Sequence, residues 1–225
     1  TEDYITAHDS ALWTHTYSSS GEYEVRIDGL FNIMRFANGG DKEKLLEIRQ
    51  WGDYALEIQG SPFNGCANLT MPATDKCVIK TNTLLKNFRN CSSIVKFPSM
   101  AIANMDVVDR MVDAFRNCTQ LTEDFSQWRF ALDITIDSSF RGCSAIDFSM
   151  ADWNAGFIES ATDCFRDAQI STANYSATLI AWQSLTLTSG VLMHFGTSTY
   201  TATAATSKAA IISNYSWGFV DGGQV

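Results

Sequence analysis

Phe115-Arg116-Asn117-Cys118-Thr119-Gln120-Leu121 is one of four stretches with a shared pattern: a phenylalanine, a polar pair or its near equivalent, a cysteine and then an aliphatic. The others are Phe63-Asn64-Gly65-Cys66 with Leu69, Phe88-Arg89-Asn90-Cys91 with Ile94, and Phe140-Arg141-Gly142-Cys143 with Ile146. A fifth, degenerate copy reads Phe165-Arg166-Asp167-Ala168. Successive phenylalanines stand 25, 27, 25 and 25 residues apart, so a tandem repeat organises the middle of the chain.

The columns of this repeat have physical readings. Leu84, Met111 and Ile136 each stand four residues before a phenylalanine, the spacing of one helix face, which predicts a short helix running up to the ring. Two residues after the ring come Gly65, Asn90, Asn117, Gly142 and Asp167, types that tolerate the left-handed conformation ending a helix. Segments such as Ser93-Ile94-Val95-Lys96-Phe97 and Ala145-Ile146-Asp147-Phe148 then read as short strands. A unit of this size buries its apolar face only against copies of itself. The expected fold is therefore α/β: a leucine-rich-repeat-like solenoid of about five short helix-turn-strand repeats.

Stacking would place Cys66, Cys91, Cys118 and Cys143 in one column with parallel side-chain vectors, a poor arrangement for disulfides. Buried free thiols are expected there. Cys164 and Cys77 lie outside the column, and no two of the six cysteines form a Cys-x-x-Cys pair.

Both ends depart from the repeat. Ala11 to Tyr17 and Glu22 to Ile27 alternate around Ser18-Ser19-Ser20-Gly21 and read as a β-hairpin. Leu30 to Phe36 reads as a strand, and Asp41 to Ile48 as a short charged helix or turn. Tyr175, Leu179 and Trp182 mark an amphipathic helix, followed by a strand at Val191 to Phe195, a second helix near Ala204 to Ile212 and a last strand at Trp217 to Val220. The expected organisation is a β-hairpin N-terminal cap over 1–29, the repeats over 30–171 and an α/β C-terminal cap over 172–225.

The chain has 225 residues, 45% of them hydrophobic and 12% aromatic, enough for a substantial core. A net charge of −9 argues against nucleic acid or an anionic membrane as partner. No apolar run approaches the roughly 20 residues of a membrane-spanning helix. Thr1 is not an initiator residue, so upstream sequence is expected to have been removed.

With these features in view, the chain resembles the BspA-like leucine-rich-repeat surface proteins, also called the mycoplasma-type surface-lipoprotein repeat family. The matching residues are the Phe-x-x-Cys-x-x-Leu/Ile units, Gly39-Gly40-Asp41-Lys42 through Gln50-Trp51-Gly52, and Asn174-Tyr175 through Trp182 with Ser213-Asn214-Tyr215-Ser216-Trp217. The segment His15-Thr16-Tyr17 through Gly21, Tyr23 and Val25 is similar to the closing strands of PKD-type β-sandwich domains, as a partial PKD-like hairpin. The resemblance implies a surface-displayed, non-catalytic recognition or adhesion protein on a bacterial envelope or in a phage or phage-like tail fibre. It brings no catalytic residues.

Two sets of residues are candidate ligand contacts. Arg89, Arg116, Arg141 and Arg166 share the position after the phenylalanine and would line one edge as an anion-binding stripe. The plainer reading, which is preferred, pairs them locally with Asp113, Asp137 and Asp163. Trp128 and Trp153, which share a column with Trp51, could form an aromatic platform for sugars, although core packing is the preferred reading. His8, His15 and His194 are scattered, so neither a metal nor another cofactor is expected. Asp147 and Asp152 have no nucleophile or oxyanion arrangement beside them. Of the Asn-x-Ser/Thr sequences, those at Asn90 and Asn117 are better explained by turn chemistry.

The expected function is a non-enzymatic module recognising a cell-surface glycan or protein receptor, extracellular, on a bacterial surface or phage virion. A homotrimer is expected if the chain belongs to a fibre. The alternative is a structural spacer projecting another domain.

Overall fold

The computed structural model describes residues 15–27, 34–56 and 60–225. Two compact units divide at Phe31 and Asn32. In the first, the Tyr17 and Tyr23 rings stack at 4.0 Å and the Tyr23 hydroxyl donates to the Ser19 carbonyl at 2.7 Å. No strand forms over 15–27; the start of the expected hairpin, residues 11–14, and most of the expected strand at 30–36 lie outside the described residues.

Along the second unit run the two-residue strands β1 (Ala55–Leu56), β2 (Val78–Ile79) and β3 (Ile134–Thr135), then β4 (Ile158–Ser160). Helix α1 (Pro98–Ala101) lies between β2 and β3. The C-terminal part contains α2 (Thr172–Trp182), β5 (Leu192–His194), β6 (Thr199–Tyr200), α3 (Ala202–Tyr215), β7 (Gly218–Val220) and β8 (Gly223–Gln224). The strands pair in parallel as β1 with β2, β3 with β4, β5 with β7 and β6 with β8. Lys42–Lys44 and Ala155–Phe157 are single 3-10 turns.

These elements overturn the expected leucine-rich-repeat-like solenoid of helix-turn-strand units with its two caps. Among the described residues there are three α-helices and four small parallel sheets, none closed, and the architecture is mixed α/β. No described helix leads into Phe63, Phe88, Phe115, Phe140 or Phe165. The reason is local. Two residues before each ring, Ser61, Lys86, Asp113, Ser138 and Asp163 have φ of 54–57°. Two residues after it, Gly65, Asn90, Asn117, Gly142 and Asp167 have φ of 61–84°. A left-handed residue interrupts an α-helix, so each phenylalanine sits between two tight turns. The bonds from Cys91 N–H to Phe88 C=O and from Arg116 N–H to Asp113 C=O span three residues, as turns require.

Spacing of four is explained without a helix. Leu84, Met111 and Ile136 are in extended backbone and donate to Arg110, Thr135 and Ser160 in the following unit at 2.8 Å. The turn then folds the phenylalanine onto the same interior. The amides of Phe36, Phe63, Phe88, Phe115, Phe140 and Phe165 likewise donate to Pro62, Asn87, Ala114, Ser139, Cys164 and His194 at 2.8–3.0 Å. Neighbouring units are thus in backbone register, and the rings of Phe63, Phe88, Phe115, Phe140, Phe165 and Phe195 follow one another at 5.2–5.6 Å with nearly parallel planes.

Side chains beside this spine complete the core. Cys91, Cys118 and Cys143 donate their thiols to the carbonyls of Phe63, Phe88 and Phe115, each at 3.0 Å, and all six cysteines are free and buried. Carboxylates brace one unit to the next: Asp75 accepts from Trp51 and Gly52 N–H, Glu123 from Phe97 N–H, and Asp147 from Ser171 N–H and the Asn174 amide. Asp147 is therefore a brace, and Asp152 is exposed without joining it.

At the C-terminal end, Ser171 caps α2 by accepting from Asn174 N–H, and Tyr175, Leu179 and Trp182 face inward at helical spacing. Thr201 caps α3 in the same way, and left-handed Ser216 ends it. Lys208 on α3 meets Asp221 at 2.6 Å, and the Tyr175 hydroxyl donates to the same carboxylate at 2.6 Å. The Lys208 ammonium also lies 4.4 Å from the centre of the Tyr200 ring, so this charge pair is closed off by aromatic faces.

Candidate functional site

The backbone register carries the four arginines onto one edge of the second unit. Asn90 N–H donates to the carbonyl of Arg116, Asn117 N–H to that of Arg141, and Gly142 N–H to that of Arg166, all at 2.8 Å. Consecutive arginines are thus held at about the 4.8 Å separation of hydrogen-bonded chains. Their side chains are part-exposed: 27% for Arg89 and Arg116, 25% for Arg141 and 47% for Arg166.

Every one of them has a carboxylate partner. Asp113 sits between two guanidinium groups, 3.3 Å from Arg89 and 3.2 Å from Arg116. Asp163 does the same for Arg141 and Arg166, both at 3.3 Å. The pairs Asp113 with Arg116 and Asp163 with Arg166 match the local pairing expected from sequence, across a turn in place of a helix. Asp137 does not pair with Arg141; it accepts from the Ser160 hydroxyl at 2.6 Å and Thr162 N–H at 2.7 Å.

Pairs joining successive units, Arg89 to Asp113 and Arg141 to Asp163, were not anticipated. Their signal is available in the alignment: both aspartates stand two residues before the phenylalanine that follows the arginine's own. Arg141 gains a second carboxylate, with Nε 3.5 Å from Asp167 Oδ2. The Nε atoms of Arg89 and Arg116 are buried and have no hydrogen-bond partner.

Trp128 and Trp153 are elsewhere. Each is 1% exposed, and their indole N–H groups donate to the carbonyls of Met100 at 3.0 Å and Phe125 at 2.9 Å. Neither offers a face to a sugar. Trp182 continues this buried series by donating to Met150 at 2.9 Å.

Beside Arg166 the surface opens into a polar cleft of about 430 Å³, lined by Ser144, Arg166, Asp167, Gln169, His194 and Thr197, with the backbone of Gly196. His194 Nδ1 accepts from Gly196 N–H at 2.9 Å, which leaves Nε2 as the histidine's donor. Among the described residues no group of three or more His, Cys, Asp or Glu could hold a metal ion, and no helix is long and apolar enough to cross a membrane.

Burial raises the thiols, in Cys66, Cys77 and Cys143 up to about 12 from 9.0, and moves Cys91, Cys118 and Cys164 in the same direction. Buried, protonated cysteines are poor nucleophiles. Compared with known proteins, the chain matches no family model, no curated protein and no solved structure.

Proposed function

We propose that this chain is a non-catalytic recognition module that binds a cell-surface glycan or protein receptor, displayed on a bacterial envelope protein or at the tip of a phage-like tail fibre. The observation that carries the proposal is the row Arg89, Arg116, Arg141 and Arg166. It presents one chemical group at a fixed interval along one edge, part-exposed and pre-oriented by Asp113 and Asp163. Oriented guanidinium groups suit the acceptor-rich surfaces of glycans and of acidic protein patches. The resemblance of the Phe-x-x-Cys units to BspA-like surface proteins supports the same reading.

Glycan-array and whole-cell binding by the purified chain test it. Binding that falls when all four arginines are replaced by alanine is the expected result. A chain that binds neither arrays nor cells overturns the proposal and leaves the spacer role. Light scattering on the same preparation tests the trimer expected of a fibre tip.

A further inference from the structure

We infer that the Arg89–Arg116 pair is the seat of an acidic sugar, whose carboxylate docks on the two guanidinium groups. The inference rests on the recognition reading and names the ligand chemistry at that edge. Three observations separate this pair from the neighbouring one.

The first is charge. Arg141 and Arg166 are matched by two carboxylates, Asp163 and Asp167. Among the described residues Arg89 and Arg116 share the single carboxylate of Asp113, two guanidinium groups to one acid.

The second is the pair of orphaned donors. A buried N–H without an acceptor loses its hydration with nothing in return and calls for an explanation. Here there are two such groups, Nε of Arg89 and Nε of Arg116, on the same edge.

The third is an internal template. Arg141 Nε faces a carboxylate, with Asp167 Oδ2 at 3.5 Å, two residues after the phenylalanine of the following unit. In the units that face Arg89 and Arg116, that position holds Asn117 and Gly142. Asn117 turns its amide away to donate to Asn90 Oδ1 at 2.8 Å, and Gly142 has no side chain. A Cβ on Gly142 would lie 2.5 Å from Asn117 Oδ1, so the exposed Asn117 side chain fills the place of the absent carboxylate. An incoming carboxylate displaces that single hydrogen bond and completes the pair as Asp167 completes its own. The amides of Asn90 and Asn117 are then beside the ligand as partners for hydroxyl groups, which favours a uronate-type sugar over an acidic peptide.

The test is a titration of the nitrogen-15-labelled chain, following the arginine Nε–H resonances, with methyl glucuronide, methyl glucoside and a glutamate-rich peptide. Glucuronide is expected to shift the Arg89 and Arg116 signals and leave Arg141 in place, while glucoside does neither. Asn117→Asp, whose backbone conformation Asp167 already adopts, is expected to supply the carboxylate internally and weaken glucuronide binding about tenfold or more. Arg116→Lys, which keeps the charge and lacks Nε, is expected to weaken it as well. The inference is overturned if glucuronide moves none of these signals or all four arginines alike. It is equally overturned if glucoside matches glucuronide, or if the peptide binds in its place. Cell binding that survives loss of Arg89 and Arg116 removes the inference and leaves the recognition module standing.

Discussion

Cys118 donates its thiol to the carbonyl of Phe88 across 3.0 Å, so a side chain of one unit is bonded to the backbone of the unit before it. Cys91 and Cys143 repeat the contact with Phe63 and Phe115. The thiols serve as small, buried hydrogen-bond donors.

Stability should therefore fall in alkali. Burial pushes the Cys143 thiol up to about 12 from 9.0, so the folded chain keeps a proton that the unfolded chain releases. Its stabilising effect is complete below pH 9.0 and is lost as pH rises toward about 12. Urea midpoints measured from about pH 8 to about pH 10.5 should decline, and less steeply in Cys143→Ala. Native thiols should resist iodoacetamide at neutral pH and react on unfolding.

Phe115 lies between Phe88 and Phe140, with ring centres 5.4 and 5.5 Å away. Phe115→Ala should cost about 3–5 kcal/mol in urea unfolding, the range for a large cavity in a packed core. Phe36→Ala, at a half-buried position, should cost less.

Asp113→Asn keeps a residue suited to φ of 56° and removes the charge shared by Arg89 and Arg116. A loss of about 1–2 kcal/mol is expected, partly recovered in high salt as repulsion between the arginines is screened. Asp113→Ala should cost about 1 kcal/mol more, because alanine resists the left-handed backbone. Thermal unfolding of the two variants at low and high salt separates the effects.

Gly142 and Gly196 both have positive φ, but different neighbours. A Cβ at Gly196 would lie 1.9 Å from the Ala168 carbonyl oxygen, which is backbone. At Gly142 it would meet the end of the movable Asn117 side chain. Gly142→Ala should cost about 1–2 kcal/mol from backbone strain, and Gly196→Ala distinctly more, as differential scanning calorimetry would show.

Phe63, Phe88, Phe115 and Phe140 could be placed in register from sequence because a phenylalanine and a cysteine three residues on recur together, and Phe165 follows from its spacing of 25 and the shared Phe-Arg pair. Phe36 and Phe195 continue the same backbone register without that cysteine, so the pattern passes over them. The helix expectation failed at a particular place. Apolar residues four apart read alike on a helix and on an extended segment followed by a turn, and the distinction lies in the left-handed φ of Ser61, Lys86 and Ser138, which those residue types do not announce. For the site, alignment showed that the arginines share an edge. Arg89 reaches Asp113 24 residues away, a pairing legible only when the arginine column of one unit is read against the position two residues before the phenylalanine of the next. Trp128 and Trp153 looked the same from sequence whether buried or exposed; their indole bonds to Met100 and Phe125 decide it.

Six cysteines close no covalent link, and each is hidden from solvent. The chain can therefore complete its fold in a reducing compartment and cross into an oxidising one without rearrangement. Neither glutathione nor a disulfide-forming enzyme has a bond to break or make, and the same native state should persist on both sides of such a boundary.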